Sequence, residues 1–304
     1  VPGAGDGLHH LSCRCFVDAI PKIVRHKKHS RKPQDQTFGK EKTMSNDQQT
    51  TKGILYITYG SIYVSAAIRS AKTAREHNPG LLIHIFVDQK CFDDFGFAAN
   101  TEPFTSASVI SKPHRRSKVD FMAATPFDAT LYLDSDTSVA EDITGMFNVL
   151  EKFDICAAHT QHRNSSQKED AKQGFVPNAF SEFNTGVILY RSTPSVTAFL
   201  EQWSKVFEES GNRHDQPTFR ALLWKSDLRI AVLPPEYNVR YIKYKYLWSR
   251  SEAIPMIYHQ KKYHQDWRRR YLVGPFEFIL RRFGIRWVTF RKKFQLKTWF
   301  PDKS

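Results

Sequence analysis

The sequence predicts an α/β fold, a mixed and mostly parallel sheet flanked by helices. Two observations carry that prediction: short apolar, β-prone runs recur along the chain, and helical stretches alternate with them across joints marked by Gly, Pro or Asn. A strand–helix–strand unit with short joints is a crossover, and crossovers make parallel neighbours.

The first strand is Ile54-Leu55-Tyr56-Ile57-Thr58-Tyr59, in a pattern that begins at Gly53. Gly60-Ser61 opens a helix to about His77, and Asn78-Pro79-Gly80 stops it. Leu81–Val87 is a second strand and Ser108–Ile110 a short third. Arg116–Ala124 reads as a helix broken by Pro126. Ala129-Thr130-Leu131-Tyr132-Leu133 is a fourth strand, ending directly on Asp134. Gly145–Phe153 reads as a helix, Asp154–Ala158 as a strand, the polar 159–180 as a mobile loop and Gly186–Tyr190 as a strand. Pro194–Glu209 is amphipathic, with Val196, Phe199, Leu200, Trp203 and Phe207 on one face. Pro217–Trp224 begins another helix, and Leu228–Leu233 and Met256–Tyr258 are late strands.

The 304 residues suffice for one large α/β domain or two small ones, and 40% hydrophobic content suffices for a packed core. The net charge of +14 is unevenly placed. Residues 1–43 hold nine Lys/Arg against four Asp/Glu, and 261–304 hold thirteen against three, which leaves 44–260 at −1. A nucleic-acid-binding fold would spread positive charge over its core, so no nucleic-acid partner is expected. Basic ends suit an anionic membrane surface or an acidic partner. The four cysteines form no metal-type pair and fit a reducing, cytoplasmic setting. No apolar stretch is long enough to span a membrane, and the first 43 residues lack a signal peptide's apolar region. We expect a disordered leader over 1–52, a catalytic domain over 53–265 and a basic aromatic tail over 266–304.

In parallel α/β sheets ligands bind beyond the carboxyl ends of the strands. An apolar strand delivers Asp134 and Asp136 to that edge, and two carboxylates one residue apart can share a divalent cation. Alone the pair is weak, because Asp is also favoured in turns and helix caps.

The stretch Thr130–Ile143, with Asp134-Ser135-Asp136 at its centre, resembles the metal-binding segment of GT-A glycosyltransferases, nearest to the glycogenin and lipopolysaccharide galactosyltransferase group. Phe183-Asn184-Thr185-Gly186-Val187 resembles that group's sugar-binding strand, His214-Asp215-Gln216-Pro217 its Asp-Gln motif, and Ile257-Tyr258-His259 its late strand ending on a metal-binding histidine. Four motifs in order over about 53–265 are far more specific than any one. The resemblance implies a GT-A-type, Rossmann-like fold and a basic helical tail after it.

It also implies roles. Asp134, Asp136 and His259 would hold Mn²⁺ or Mg²⁺, and the single nitrogen leans toward Mn²⁺. Thr58, Tyr59 and Gly60 would receive the base and ribose, and Lys118 and Ser135 would lie at the donor. Asn184 and Gly186 would line the sugar pocket, and Asp215 and Gln216 would face the anomeric carbon and acceptor. The plain alternatives are a buried histidine at a strand end, an ordinary strand-to-helix turn at Gly60 and a capping Asp215. The group's Lys-Pro-Trp run after its histidine is missing, so Lys262 as a phosphate clamp rests on a shifted spacing, and His264 competes with His259.

The implied donor is a nucleotide-diphosphate sugar, with a UDP-sugar favoured, and the acceptor is a glycan, lipid or protein hydroxyl. The cation would offset charge building on the leaving diphosphate. The resemblance implies retention, although an inverting enzyme could use Asp215 as its base. The tail mixes Arg and Lys with Trp and Phe, which suits peripheral membrane contact or a helix covering the core. A sugar-phosphate nucleotidyltransferase would need a Gly-rich loop after the first strand, and Thr58–Tyr63 holds one glycine. A non-catalytic sugar-nucleotide-binding protein would not need the intact acidic pair.

Overall fold

The computed structural model describes residues 50–114, 116–160, 176–240, 248 and 251–259. The expected leader up to residue 49, residues 161–175 of the expected loop, Lys262, His264 and the basic tail lie outside the described residues.

The central sheet has the order β3-β2-β1-β4-β7-β6-β8. Its strands are β1 (Lys52–Ile57), β2 (Leu82–Val87), β3 (Ser106–Val109), β4 (Ala129–Leu133), β6 (Ile155–His159), β7 (Phe183–Arg191) and β8 (Ile230–Val232). The pairs β3–β2, β2–β1, β1–β4 and β6–β8 are parallel, and β7 alone runs against its neighbours β4 and β6. The sheet is therefore mixed and mostly parallel, as the sequence predicts. The reversal of β7 matters for the site. Its first residues start at the edge where β4 ends, with Leu133 opposite Val187 and the Asp134 N–H donating to the Gly186 carbonyl at 2.8 Å.

Both faces of the sheet are covered, which is why its strands read as continuous apolar runs. On one face Ile54, Tyr56, Leu131 and Leu133 pack with Val64, Ala67, Ala71 and Ala74 of α1 (Ser61–His77) and with the 3₁₀ segment 144–151. On the other, Leu55, Ile57, Tyr132 and Ile188 pack with three more helices. These are α3 (Ser117–Phe121), α4 (Pro194–Ser210) and α5 (Gln216–Lys225), and a further short helix, α2 (Gln89–Asp94), follows β2. The α4 stripe Val196, Phe199, Leu200 and Trp203 is buried as its spacing predicts, and Thr193 caps the helix by accepting from the Val196 N–H. Phe207 is only partly buried at the edge of that core.

The differences from the sequence reading lie in short elements. The expected helix 145–153 is a 3₁₀ segment, and the expected strand at 186–190 begins three residues earlier at Phe183. Asn184 lies inside β7 despite its poor strand preference, because its side-chain oxygen finds local partners. A second, two-stranded sheet pairs β5 (Thr137–Val139) antiparallel with β9 (Ile257–His259). In it Thr137 stands opposite His259. Side chains of α1 hold β5 in place: Ser70 is 2.8 Å from the Thr137 hydroxyl, and Thr73 accepts from the Val139 N–H at 3.0 Å. Among the described residues no helix is long and apolar enough to cross a membrane.

Candidate active site

The turn after β4 is closed by Thr137, whose N–H and hydroxyl both donate to the Asp134 carbonyl at 3.1 and 2.8 Å. This turn lifts Asp134 and Asp136 over the sheet edge with Ser135 half-buried between them. The β5–β9 pairing then brings in His259 from more than a hundred residues downstream. The His259 Nε2 lies 3.2 Å from Asp136 Oδ1 and 3.6 Å from Asp134 Oδ2. One ligand atom from each of the three residues falls within a 4.8 Å span.

Gly186 is what lets these groups meet. A Cβ built there would come 2.1 Å from His259 Cε1 and 2.6 Å from Asp134 Oδ2, so a larger residue would push the ring and the carboxylate aside. Gly186 thus lies against Asp134 and His259.

The hydrogen-bond pattern assigns the tautomer of His259. Nδ1 lies 2.9 Å from the Asn238 side-chain oxygen, an acceptor, so Nδ1 carries the proton and donates to it, while Arg240 Nη1 sits over the face of the ring, 3.0 Å from Nε2 and 3.4 Å from Nδ1. Asn238 in turn donates through Nδ2 to Asn184 Oδ1 at 3.0 Å, and that oxygen also accepts from the Gly186 N–H at 3.1 Å. A donated Nδ1–H that aims the Nε2 lone pair at its target is the usual support of a metal-bound histidine. Three acceptor atoms therefore converge on one point, an arrangement that calls for positive charge. Two carboxylate oxygens and an imidazole nitrogen form a donor set suited to a divalent cation, and these residues fit one.

Asp134 also faces a second cluster through its other oxygen. Asp134 Oδ1 accepts from the Tyr132 hydroxyl at 2.7 Å and from Lys118 Nζ at 3.2 Å. Lys118 is buried and also reaches Asp215 Oδ2 at 3.1 Å and the Thr185 carbonyl and hydroxyl at 3.0 and 3.2 Å. The Thr185 hydroxyl donates to Asp215 Oδ2 at 2.6 Å, and Arg116 Nη1 pairs with Asp215 Oδ1 at 3.1 Å. Burial opposes the charge of Asp215, but Lys118, Arg116 and the Thr185 hydroxyl outweigh it and hold the carboxyl down at about 2. Burial likewise opposes the charge of Lys118, and Asp134 and Asp215 outweigh it and hold the ammonium above its ordinary value.

Asp215 occupies the N-cap position of α5, but its side chain makes no capping bond and serves this cluster instead. Trp203 of α4 fixes the same turn by donating to the Asp215 carbonyl at 3.3 Å. Gln216 follows as the first, half-buried residue of α5. Thr58, Tyr59 and Gly60 leave the carboxyl end of β1 at the same sheet edge, with Thr58 buried. Gly60 adopts a left-handed φ of 79°, and its N–H donates to Asp88 Oδ2 at 2.8 Å.

The structure brings Asp134, Asp136 and His259 together, and sets Lys118, Asn184, Gly186 and Asp215 around them. Sequence reasoning missed Tyr132, Thr185, Arg116, Asn238 and Arg240. Asn238 ends the 3₁₀ segment 235–238 and Arg240 comes just after it, where the chain is held along β9 by the His259 N–H donating to the Val239 carbonyl at 3.0 Å. The only local signal there was an Asn set between the apolar Tyr237 and Val239.

Residues 129–265 match the sequence model of the family described as nucleotide-diphospho-sugar transferase. No curated protein matches the chain. Among solved structures, the galactosyltransferase LgtC in complex with donor and acceptor sugar analogues is similar over 69% of this chain and 87% of its own, with 14% identity and a TM-score of 0.51. The glycosyltransferase GlyE of Streptococcus pneumoniae TIGR4 is similar over 69% and 55% of the two chains, with 19% identity and a TM-score of 0.48. Mouse xyloside xylosyltransferase 1 in its apo form is similar over 71% and 99%, with 14% identity and a TM-score of 0.48. At such identity the likeness to LgtC speaks for the fold. The family match spans the segment that carries Asp134, Asn184, Asp215 and His259. The fold is of the GT-A type seen in LgtC, and over residues 129–265 the chain is similar to the nucleotide-diphospho-sugar transferase family.

Proposed function

We propose that this chain is a nucleotide-diphospho-sugar glycosyltransferase that depends on a divalent metal and transfers its sugar to an acceptor hydroxyl with retention of anomeric configuration. The observation that carries the reading is the convergence of Asp134, Asp136 and His259 within 4.8 Å, from segments far apart in the chain. Mn²⁺ suits the mixed oxygen and nitrogen set best, with Mg²⁺ second. Bound there, the ion would offset the negative charge that builds on the leaving nucleoside diphosphate.

The chain's own groups supply position and electrostatics. Thr58, Tyr59 and Gly60 sit where a base and ribose would enter, and a UDP-sugar is the favoured donor. Lys118, Ser135, Asn184 and Gly186 surround the place for the donor's sugar and phosphates, and Gln216 lies toward the acceptor. Asp215 is held by two cations and a hydroxyl, and so depressed a carboxyl is a poor general base at neutral pH. That favours retention, in which the departing phosphate takes the acceptor proton. The acceptor in this reading is a glycan, lipid or protein hydroxyl. The catalytic domain is taken to run from the start of β1 to residue 265, with the residues before β1 as a leader. The tail 266–304 is taken as a peripheral membrane contact of a cytoplasmic enzyme, and Lys262 as a further phosphate contact.

A thermal-shift screen of UDP-, GDP- and CDP-sugars with Mn²⁺ identifies the donor. Asp136→Ala is then expected to abolish both transfer and donor hydrolysis, and full turnover in that variant would reject the metal role. Proton NMR of the first-formed product reads the anomeric outcome. Liposome flotation with and without residues 266–304 tests the membrane contact, which equal flotation would refute.

A further inference from the structure

Tyr56, Ser70 and Thr137 form a chain of hydroxyls that ends on the backbone of Asp134. All three side chains are buried, so their bonds are made within the protein. The Tyr56 hydroxyl lies 2.9 Å from that of Ser70, and Ser70 lies 2.8 Å from the Thr137 hydroxyl, which is 2.8 Å from the Asp134 carbonyl. The direction of the chain follows from its end. A carbonyl only accepts, so Thr137 gives its single hydroxyl proton to Asp134. Thr137 must then accept from Ser70, and Ser70 must accept from Tyr56. Burial holds the Tyr56 phenol far above its ordinary value, so it keeps the proton it donates.

Ser70 also carries a second link. The Val139 N–H donates to the Thr73 hydroxyl at 3.0 Å, and that hydroxyl donates to the Ser70 carbonyl at 2.7 Å. Both ends of β5 are therefore tied to one residue of α1, Thr137 through its side chain and Val139 through its carbonyl. In a helix interior Ala is the better former, so a buried serine there is explained by what its hydroxyl binds. The tie matters because β5 pairs only with β9, and a two-stranded sheet is marginal by itself. Thr137 follows Asp136 directly and stands opposite His259. Where α1 holds β5 thus decides where Asp136 and His259 stand relative to Asp134 at the end of β4. Sites of this kind need their groups held to within about 0.5 Å.

We propose that Ser70 is a positioning residue of the metal corner, acting through Thr137 to set the spacing of Asp134, Asp136 and His259. The inference rests on the proposed metal role of those three residues.

The test compares full-length wild type, Ser70→Ala, Ser70→Cys and Tyr190→Phe by isothermal titration calorimetry with Mn²⁺ alone and by thermal melts. Tyr190 is the control, because its buried hydroxyl donates to the Met122 carbonyl at 2.7 Å on the opposite face of the sheet. Ser70→Ala keeps the helix and the Thr73 link but interrupts the hydroxyl chain. It should bind Mn²⁺ about tenfold more weakly, the lower end of what loss of a ligand's support costs. Ser70→Cys, of similar size but a weak donor, should fall between it and the wild type. Tyr190→Phe should melt at a lower temperature and bind Mn²⁺ as the wild type does. Equal Mn²⁺ affinity in the wild type and the Ser70 variants would overturn the inference and leave the metal reading intact. So would an equal loss in Tyr190→Phe, since affinity would then follow general loosening of the fold. If Ser70→Ala does not fold, Ser70→Cys against the wild type decides in the same way. Absence of Mn²⁺ binding in the wild type would overturn the metal reading and this inference with it.

Discussion

The two oxygens of Asp134 face two different worlds. Through Oδ2 the residue belongs to an acceptor-rich corner with Asp136 and His259, open enough that Asp134 is half-buried. Through Oδ1 it belongs to a buried knot in which Lys118 and Arg116 balance Asp134 and Asp215. The corner gathers lone pairs and so responds to a cation from outside. The knot carries its own cations, so its charges are already compensated and its geometry is fixed before any ligand arrives. The difference teaches how the site divides its labour. One half is built to change on binding and the other to hold the first at the right place.

The comparison is broken most severely at the shared residue. Asp134→Asn should damage both halves, removing Mn²⁺ binding and lowering turnover by about three orders of magnitude, the scale of losing a charge-stabilising group. Calorimetry and donor hydrolysis check this. Lys118→Met should damage the knot first. It leaves Asp134 and Asp215 with Arg116 as the nearby cation, and breaking a buried ion pair on one side costs about 3–5 kcal/mol. Urea unfolding measures that cost. A variant as stable as the wild type would show that the knot is not a supporting element.

Asn238→Ala sharpens the contrast from the other side. It should leave the knot untouched, but frees the His259 tautomer, and loss of such a support lowers metal affinity by about 10- to 100-fold. A change in stability without a change in Mn²⁺ affinity would contradict the tautomer assignment. The smallest expected effect is on acid stability. The Asp215 carboxyl is depressed from its ordinary 3.8 to about 2 in the folded state. Its contribution is therefore present above pH 4 and lost as pH falls through about 2, a change of about 2 kcal/mol. Urea melts at pH 5 and pH 2.5 should show this loss in the wild type and a smaller one in Asp215→Asn.

The same contrast separates what could be read in the sequence from what could not. β4 was legible because a β-prone run of four apolar residues and one threonine leads straight to an aspartate. α4 was legible because its buried stripe recurs at helical spacing between the capping Thr193 and a left-handed Gly211. β5 was not, since three residues carry no periodicity and α1 side chains hold them in place. The corner's ligands emerged from motif order, because each sits at a strand end whose apolar lead-in is visible. The knot was half visible. Asp215 stood out in its Asp-Gln pair, but capping explained it equally well until Lys118, Arg116 and Thr185 were seen around it. Arg116 and Arg240 belong to no motif, and only tertiary packing sets them against Asp215 and His259.

The most direct measurement of the central claim is calorimetric titration of Mn²⁺ into the wild type and His259→Ala without nucleotide. The account predicts one bound ion in the wild type and at least tenfold weaker binding when the imidazole is removed. Equal affinity in the two proteins would contradict it, because a cation that ignores His259 is not held where β9 meets the end of β4.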